Sequence, residues 1–270
     1  MQNSCTKLLA IFVALCFFVG CDLVEKKDFN TATAYAEKKE FRQALVYYDR
    51  VIQRNQETEI SLFAAREGAR ISLLDLKDFK KAAEYYQLIV LYSKDLAERL
   101  LAQKQIATIY FDQLTDYSRA VVEINKLLGM SLDPTEASKY KMNLARAYYY
   151  QNNFFQAESE ANEFLKKSTN DDDRFQMLVL KGNIFLAKKD IQKASEIFHE
   201  ILKKYPDRAV KENVAITLAV AYEEMKDFNS AISVLEAMRP HHPQPDYIDI
   251  RIKRLLERQK NQPNAKRGKK

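Results

Sequence analysis

The sequence predicts an all-α protein, an α-solenoid of about six helix pairs closed by one further C-terminal helix. Three observations predict it. Only 5 glycines and 6 prolines occur in 270 residues, too few for a strand-and-turn fold or a Gly-rich phosphate loop and well suited to long helices joined by short polar turns. A helical segment recurs six times at nearly constant spacing, the mark of a repeat architecture. A second helical pattern, a small residue with an aromatic three positions on, precedes five of the six copies. With 47% apolar and 30% charged residues, the chain buries a sizeable core and stays soluble.

Residues 1–20 predict a cleaved targeting segment. A short polar start with Lys7 precedes an unbroken apolar run from Leu8 to Val19, followed by Gly20 and Cys21. Twelve residues rise only about 18 Å as a helix against about 30 Å of hydrocarbon, so the run fits a secretory signal better than a span. Cys5, Cys16 and Cys21 are the only cysteines. Cleavage after Gly20 leaves one, which excludes an internal disulfide, a CxxC zinc site or a free-thiol nucleophile if that sulfur is modified. Residues 21–27 then form a short tether, with almost no linker before the first helix pair.

The repeats fill residues 28–240. Aligned copies include EFRQALVYYDRVI (40–52), DFKKAAEYYQLIV (78–90) and DIQKASEIFHEIL (190–202). Each carries an aromatic or Ile in second place (Phe41, Phe79, Tyr117, Phe154, Ile191, Phe228). Three residues later comes an alanine: Ala44, Ala82, Ala120, Ala157, Ala194, Ala231. These alanines are 38, 38, 37, 37 and 37 residues apart. The upstream partners are Ala32 with Tyr35, Ala107 with Tyr110, Ala145 with Tyr148, Gly182 with Phe185 and Ala219 with Tyr222. The second repeat offers only Arg70 with Leu73, and the third has one extra residue before Tyr117. A small residue belongs where two antiparallel helices cross closely, with the aromatic filling the wedge beside it.

Residues 246–260 predict a capping helix, since the last face of a solenoid needs a polar cover. Ile248, Ile252, Leu255 and Leu256 form its apolar stripe, with Arg251, Arg254 and Arg258 off it. Residues 261–270 read as a disordered basic tail. Most of the net charge of +6 sits there: residues 257–270 hold Arg258, Lys260, Lys266, Arg267, Lys269 and Lys270 against Glu257. A nucleic-acid binder places its basic excess on the folded surface instead, so no nucleic-acid partner is expected.

Catalytic chemistry finds no footing. There is no G-x-S-x-G, H-E-x-x-H or Walker loop. His199 falls within a repeat helix as a surface side chain. His241 and His242 sit in a Pro-rich turn with no third ligand nearby. Asp171-Asp172-Asp173 lacks the spacing and central glycine of a calcium loop and reads as the start of a helix, as does Asp133-Pro134-Thr135-Glu136. The expectation is no enzyme, no catalytic residues, no cofactor, no metal and no small-molecule substrate.

Two resemblances sharpen this. Phe18-Val19-Gly20-Cys21 resembles the lipobox of bacterial lipoproteins, with Phe18 in place of the usual Leu. The resemblance implies lipidation of Cys21, cleavage between Gly20 and Cys21, and acylation of the new amino terminus; an ordinary secreted protein or an uncleaved anchor are the alternatives. The repeats, over about residues 25–240, resemble the tetratricopeptide signature, without its frequent Trp and with a period longer than 34. That implies a right-handed solenoid whose first helices line a concave groove. The groove positions carried over are Lys104, Thr108, Phe111, Asn143, Arg146, Tyr149, Tyr150, Gln176 and Asn183. Tyr149 and Tyr150 can equally pack as core against the next repeat.

Together the two resemble the tetratricopeptide lipoproteins of the outer-membrane β-barrel assembly machine, although the Tyr-Pro pair of that family occurs here only as Tyr205-Pro206. The implied function is a non-enzymatic scaffold of the bacterial envelope, facing the periplasm. Its lipid partner is the bilayer, reached through acylated Cys21. Other envelope proteins or peptides lie in the groove. The outer membrane is preferred over the inner, although Asp22 resembles an enterobacterial retention signal. A pilotin-like or cell-wall-coordinating lipoprotein is the alternative.

Overall fold

The computed structural model describes residues 23–261, and within them every regular element is helical. The expected signal segment, Gly20, Cys21 and the tail from residue 262 lie outside the described residues. The chain divides into two compact units, Met1–Leu132 and Asp133–Lys270.

The first unit contains three helix pairs. Helix α1 covers 23–37 and pairs with α2 (Phe41–Arg54). Helix α3 (Glu59–Arg70) runs on through a π-helical turn, Ile71–Asp75, and pairs with α4 (Phe79–Tyr92). Helix α5 (Leu96–Thr108) runs on through a second π turn, Ile109–Gln113, and pairs with α6 (Tyr117–Leu128). The expected tether over 21–27 is corrected at its end. The helix already includes residue 23, and Glu25 and Asp28 are drawn inward, so 23–27 belong to α1.

In the second unit, α7 (Pro134–Tyr150) pairs with α8 (Phe154–Lys167) and α9 (Asp171–Ala187) with α10 (Ile191–Lys204). The first helix of the sixth pair is split into α11 (Pro206–Lys211) and α12 (Val214–Glu224), followed by α13 (Phe228–Met238) and α14 (Pro245–Lys260). The break is local. Asn213 adopts a left-handed conformation with φ 57°, which no α-helix continues through.

The six repeat alanines, Ala44, Ala82, Ala120, Ala157, Ala194 and Ala231, are all 0% exposed. Gly182 meets the ring of Phe198, and Gly68 meets the ring of Tyr85, so closely that neither has room for a Cβ. Tyr48, Tyr85 and Phe198, fully buried on second helices, fill the cores beside these crossings. Each large apolar side chain so buried contributes about 1.5–3 kcal/mol.

The π turns explain the uneven spacing. Small residue and repeat alanine stand twelve apart in Ala32–Ala44, Ala145–Ala157, Gly182–Ala194 and Ala219–Ala231. In the two repeats with π turns the separation is thirteen, Ala69–Ala82 and Ala107–Ala120. The extra residue is absorbed by i→i+5 hydrogen bonds, Leu76 N to Ile71 O at 3.0 Å and Leu114 N to Ile109 O at 2.9 Å. The second repeat is therefore regular once shifted by one residue. Ala69, 1% exposed, holds the small position, and Arg70 is exposed.

Every turn within a pair uses one device. Lys39, Lys77, Thr115, Asn152, Lys189 and Lys226 have positive φ between 49° and 62°. After them, Asp78, Asp116, Asn153, Asp190 and Asp227 cap the second helix by accepting from the backbone N–H three residues on. Glu40 is the exception and makes no side-chain cap, since its longer side chain does not match that geometry.

The capping stripe is narrower than expected. In α14, Ile248 and Leu255 are buried and Ile252 is half-buried, but Leu256 is 40% exposed. Eight residues from Ile248 is about 80° around the helix, at the margin of the buried face. Arg251 and Arg258, both off the stripe, reach Glu223 on α12.

Candidate functional site

In a stack of helix pairs, the faces of the first helices not used for packing are the surfaces open to a partner. In the first unit, Phe63 on α3 and Leu101 on α5 are 52% and 58% exposed. They hold equivalent positions, six residues before Ala69 and Ala107. The Arg66 guanidinium lies 4.8 Å from the Phe63 ring centre and bonds both oxygens of Glu98 on α5, at 2.5 and 2.9 Å. Two parallel bonds of this kind fix the spacing of α3 and α5. They hold the Glu98 carboxyl below its ordinary range, Arg66 being the main cause and Ser93 a second. Beside them opens a cleft of about 540 Å³ lined by Leu62, Arg66, Glu98 and Leu101.

Three expected groove residues fall in this unit. Thr108 is exposed and Lys104 half-buried on α5. Phe111 lies in the π turn and packs edge-on against Tyr117, 5.7 Å between centres, so it turns toward its own pair. Phe63 and Leu101 are absent from the sequence reading. The one-residue shift at the second π turn was visible in the sequence, and the matching separation of Ala69 from Ala82 points to the first.

The other six lie in the second unit. Arg146 on α7 donates to Gln176 Oε1 on α9 at 2.7 Å, so these two are brought together. Asn143 and Asn183 are half-buried on the same two helices. Tyr149 packs on Phe154, 5.9 Å between centres, and belongs to the edge of the core. Tyr150 is 51% exposed and meets Tyr149 edge-on at 5.6 Å. The adjacent tyrosines thus divide, one inward and one outward, because successive helical residues point about 100° apart.

The acidic run is engaged by helices on both sides of it in the chain. Asn170 caps α9, and Asp171–Asp173 form its first turn. Asp171 accepts from Lys204 and Tyr205, Asp172 from Arg208 and Asp173 from Ser138. Tyr205, then Lys204, holds the Asp171 carboxyl below its usual range. Among the described residues no group of three His, Cys, Asp or Glu could hold a metal. His199 Nδ1 lies 2.8 Å from the Ser195 carbonyl, and His242 Nδ1 accepts from Gln244 N at 3.0 Å.

A further cleft of about 480 Å³ lies between α7, α8 and the start of α9, with Lys141, Glu160, Glu163, Lys167 and Asp173 on its walls. Burial, then repulsion from Glu163, raises the Glu160 carboxyl above its ordinary value, with Lys141 opposing. The same lining holds Ser138, whose hydroxyl donates to Asp173 at 2.8 Å.

Tetratricopeptide-repeat family models match residues 142–209 and 185–266. No curated protein matches the chain. Similar solved folds include Naa15/Naa10 bound to HypK-THB (17% identity, TM-score 0.55, covering 86% of this chain and 39% of that one). Another is the C-terminal part of a tetratricopeptide-repeat protein from Cytophaga hutchinsonii (18%, TM-score 0.51, covering 83% and 87%). A third is YrrB, described as a tetratricopeptide protein with an unusual peptide-binding site (14%, TM-score 0.50, covering 77% and 97%). This chain spans about two-fifths of the length of the first. At these identities the likeness is one of fold, an all-α tetratricopeptide-like architecture.

Proposed function

From a chain that carries tetratricopeptide repeats, we propose a lipid-anchored, non-enzymatic scaffold that holds other proteins during assembly of an outer-membrane or periplasmic complex. The observation that carries the reading is the pair of open first-helix faces. Phe63 beside Arg66, and Tyr150 on the helix of Arg146, present the aromatic and Arg side chains that dominate binding energy at interfaces. An extended peptide of another envelope protein lying across α3–α5 or α7–α9 is the occupant these faces suit. The expected lipid on Cys21 supplies the anchor: two or three acyl chains, at about 0.8 kcal/mol per buried methylene, hold stably where one is marginal. Among the described residues no helix is long and apolar enough to cross a membrane.

The test is expression with the native N-terminus beside Cys21→Ala, followed by membrane fractionation and crosslinking. Wild type is expected to carry lipid, sediment with the outer membrane and capture envelope-assembly proteins. Cys21→Ala is expected to lose the membrane. Phe63→Ala with Tyr150→Ala is expected to keep the membrane and lose the captured proteins. Unchanged location and partners for Cys21→Ala would overturn the reading, and capture of a secretin alone would move it to the pilotin class.

A further inference from the structure

We infer that the outward face of α1 is a membrane-contacting surface that takes anionic phospholipid headgroups. The inference rests on the lipid-anchor reading of Cys21. In sequence the start of α1 is neutral, Glu25-Lys26-Lys27-Asp28, but the fold separates the charges. Glu25 is 5% exposed and Asp28 is 9% exposed. Glu25 accepts from the Thr58 and Ser61 hydroxyls at the start of α3, and Asp28 pairs with Arg54 of α2 at 2.8 Å. Both carboxylates are thus consumed inside the first unit.

The lysines remain outside. Leu23, Lys26, Lys27, Asn30, Ala34 and Lys38 are exposed and line one shallow groove of about 600 Å³ along the helix. No ion pair among the described residues engages Lys26, Lys27 or Lys38. The one exposed carboxylate of α1, Glu37, sits at the end away from Leu23. Among the described residues of α1, the half that starts at Leu23 therefore exposes only lysines as charged groups, with Leu23 itself at 65% exposure.

A terminal helix of a repeat array needs only a polar outer face, which any mixture of charges provides. Burial of Glu25 and Asp28 goes further and leaves lysines as the exposed charges of the first turns of α1. Position gives that charge its partner. Leu23 is two residues after Cys21, at most about 7 Å of extended chain, so Lys26 and Lys27 lie at most about 11 and 13 Å along the chain from the anchoring residue, on the order of one Debye length. Anionic headgroups attract lysines placed in this way.

The experiment uses the mature chain with Cys21→Ser, so that no lipid anchors it, sedimented with vesicles of phosphatidylcholine alone or with phosphatidylglycerol added. Wild type is expected on anionic vesicles only and to come off as salt rises. Lys26→Gln and Lys27→Gln together are expected to lower the partition on the order of twentyfold, about fivefold per lysine, with an unchanged melting curve. Lys266→Gln, Arg267→Gln, Lys269→Gln and Lys270→Gln together control for the basic tail. Retention lost in the tail variant but intact in the α1 variant would overturn the inference, as would equal retention on neutral vesicles or none on either. Mass spectrometry of the native chain decides separately whether Cys21 is acylated.

Discussion

The backbone of Gly182 lies against the ring of Phe198, such that a methyl group at residue 182 would stand 2.5 Å from Phe198 Cε1. The ring belongs to a residue that is itself 0% exposed, so it has no open side to turn to. This contact sets how closely α9 and α10 approach.

Gly182→Ala is expected to destabilise the fold by about 1–3 kcal/mol, through overpacking that outweighs the helix propensity alanine gains. Gly129→Ala, whose new methyl meets the Lys126 and Asn125 carbonyls at 3.3 and 3.8 Å, is expected to stay within about 0.5 kcal/mol. Urea denaturation of the two variants checks the contrast. Equal midpoints would mean the crossing is looser than the structure has it.

The left-handed turn residues carry strain that glycine lacks. Lys189→Gly, at φ 62°, is expected to stabilise by up to about 1 kcal/mol, the left-handed penalty less the added entropy of the unfolded chain. A rise in melting midpoint is the expected readout, and a fall would contradict the account.

Deleting Leu74, the 64% exposed residue of the first π turn, restores the twelve-residue spacing between Ala69 and the repeat alanine. It is expected to cost less than about 1 kcal/mol, since a π turn is a one-residue insertion in an α-helix. Deleting Tyr149, in a repeat that already has twelve, shifts the register and is expected to cost about 3 kcal/mol or more. Circular dichroism and denaturation midpoints distinguish the two.

Glu98, held below its ordinary value of 4.5 first by Arg66, confers stability that is fully present above pH 4.5. That stability is lost as pH falls through the depressed folded value. The pair is partly open to solvent, so the effect is expected to be within about 1 kcal/mol. Glu98→Gln is expected to flatten the stability–pH curve below pH 4.5. An unchanged slope would show that the Arg66 pair does not survive in solution.

The sequence by itself determined the helix pairs, their number and the alanines at their crossings, because a 3.6-residue period and a small residue at each close approach are written in consecutive positions. The cap at Asp133 was equally readable, since it depends on a residue and its next few neighbours. The tertiary structure decided what depends on register and burial. Two π turns added one residue to the second and third repeats, and Phe111, inside the second of them, turned toward Tyr117. Tyr149 and Tyr150 took opposite roles because Phe154 covers only one of them. Lys26 and Lys27 became a cationic surface only because Thr58, Ser61 and Arg54, some thirty residues on, take Glu25 and Asp28 out of solvent. Those outcomes depend on which distant groups meet, and a local pattern of residue types does not contain that information.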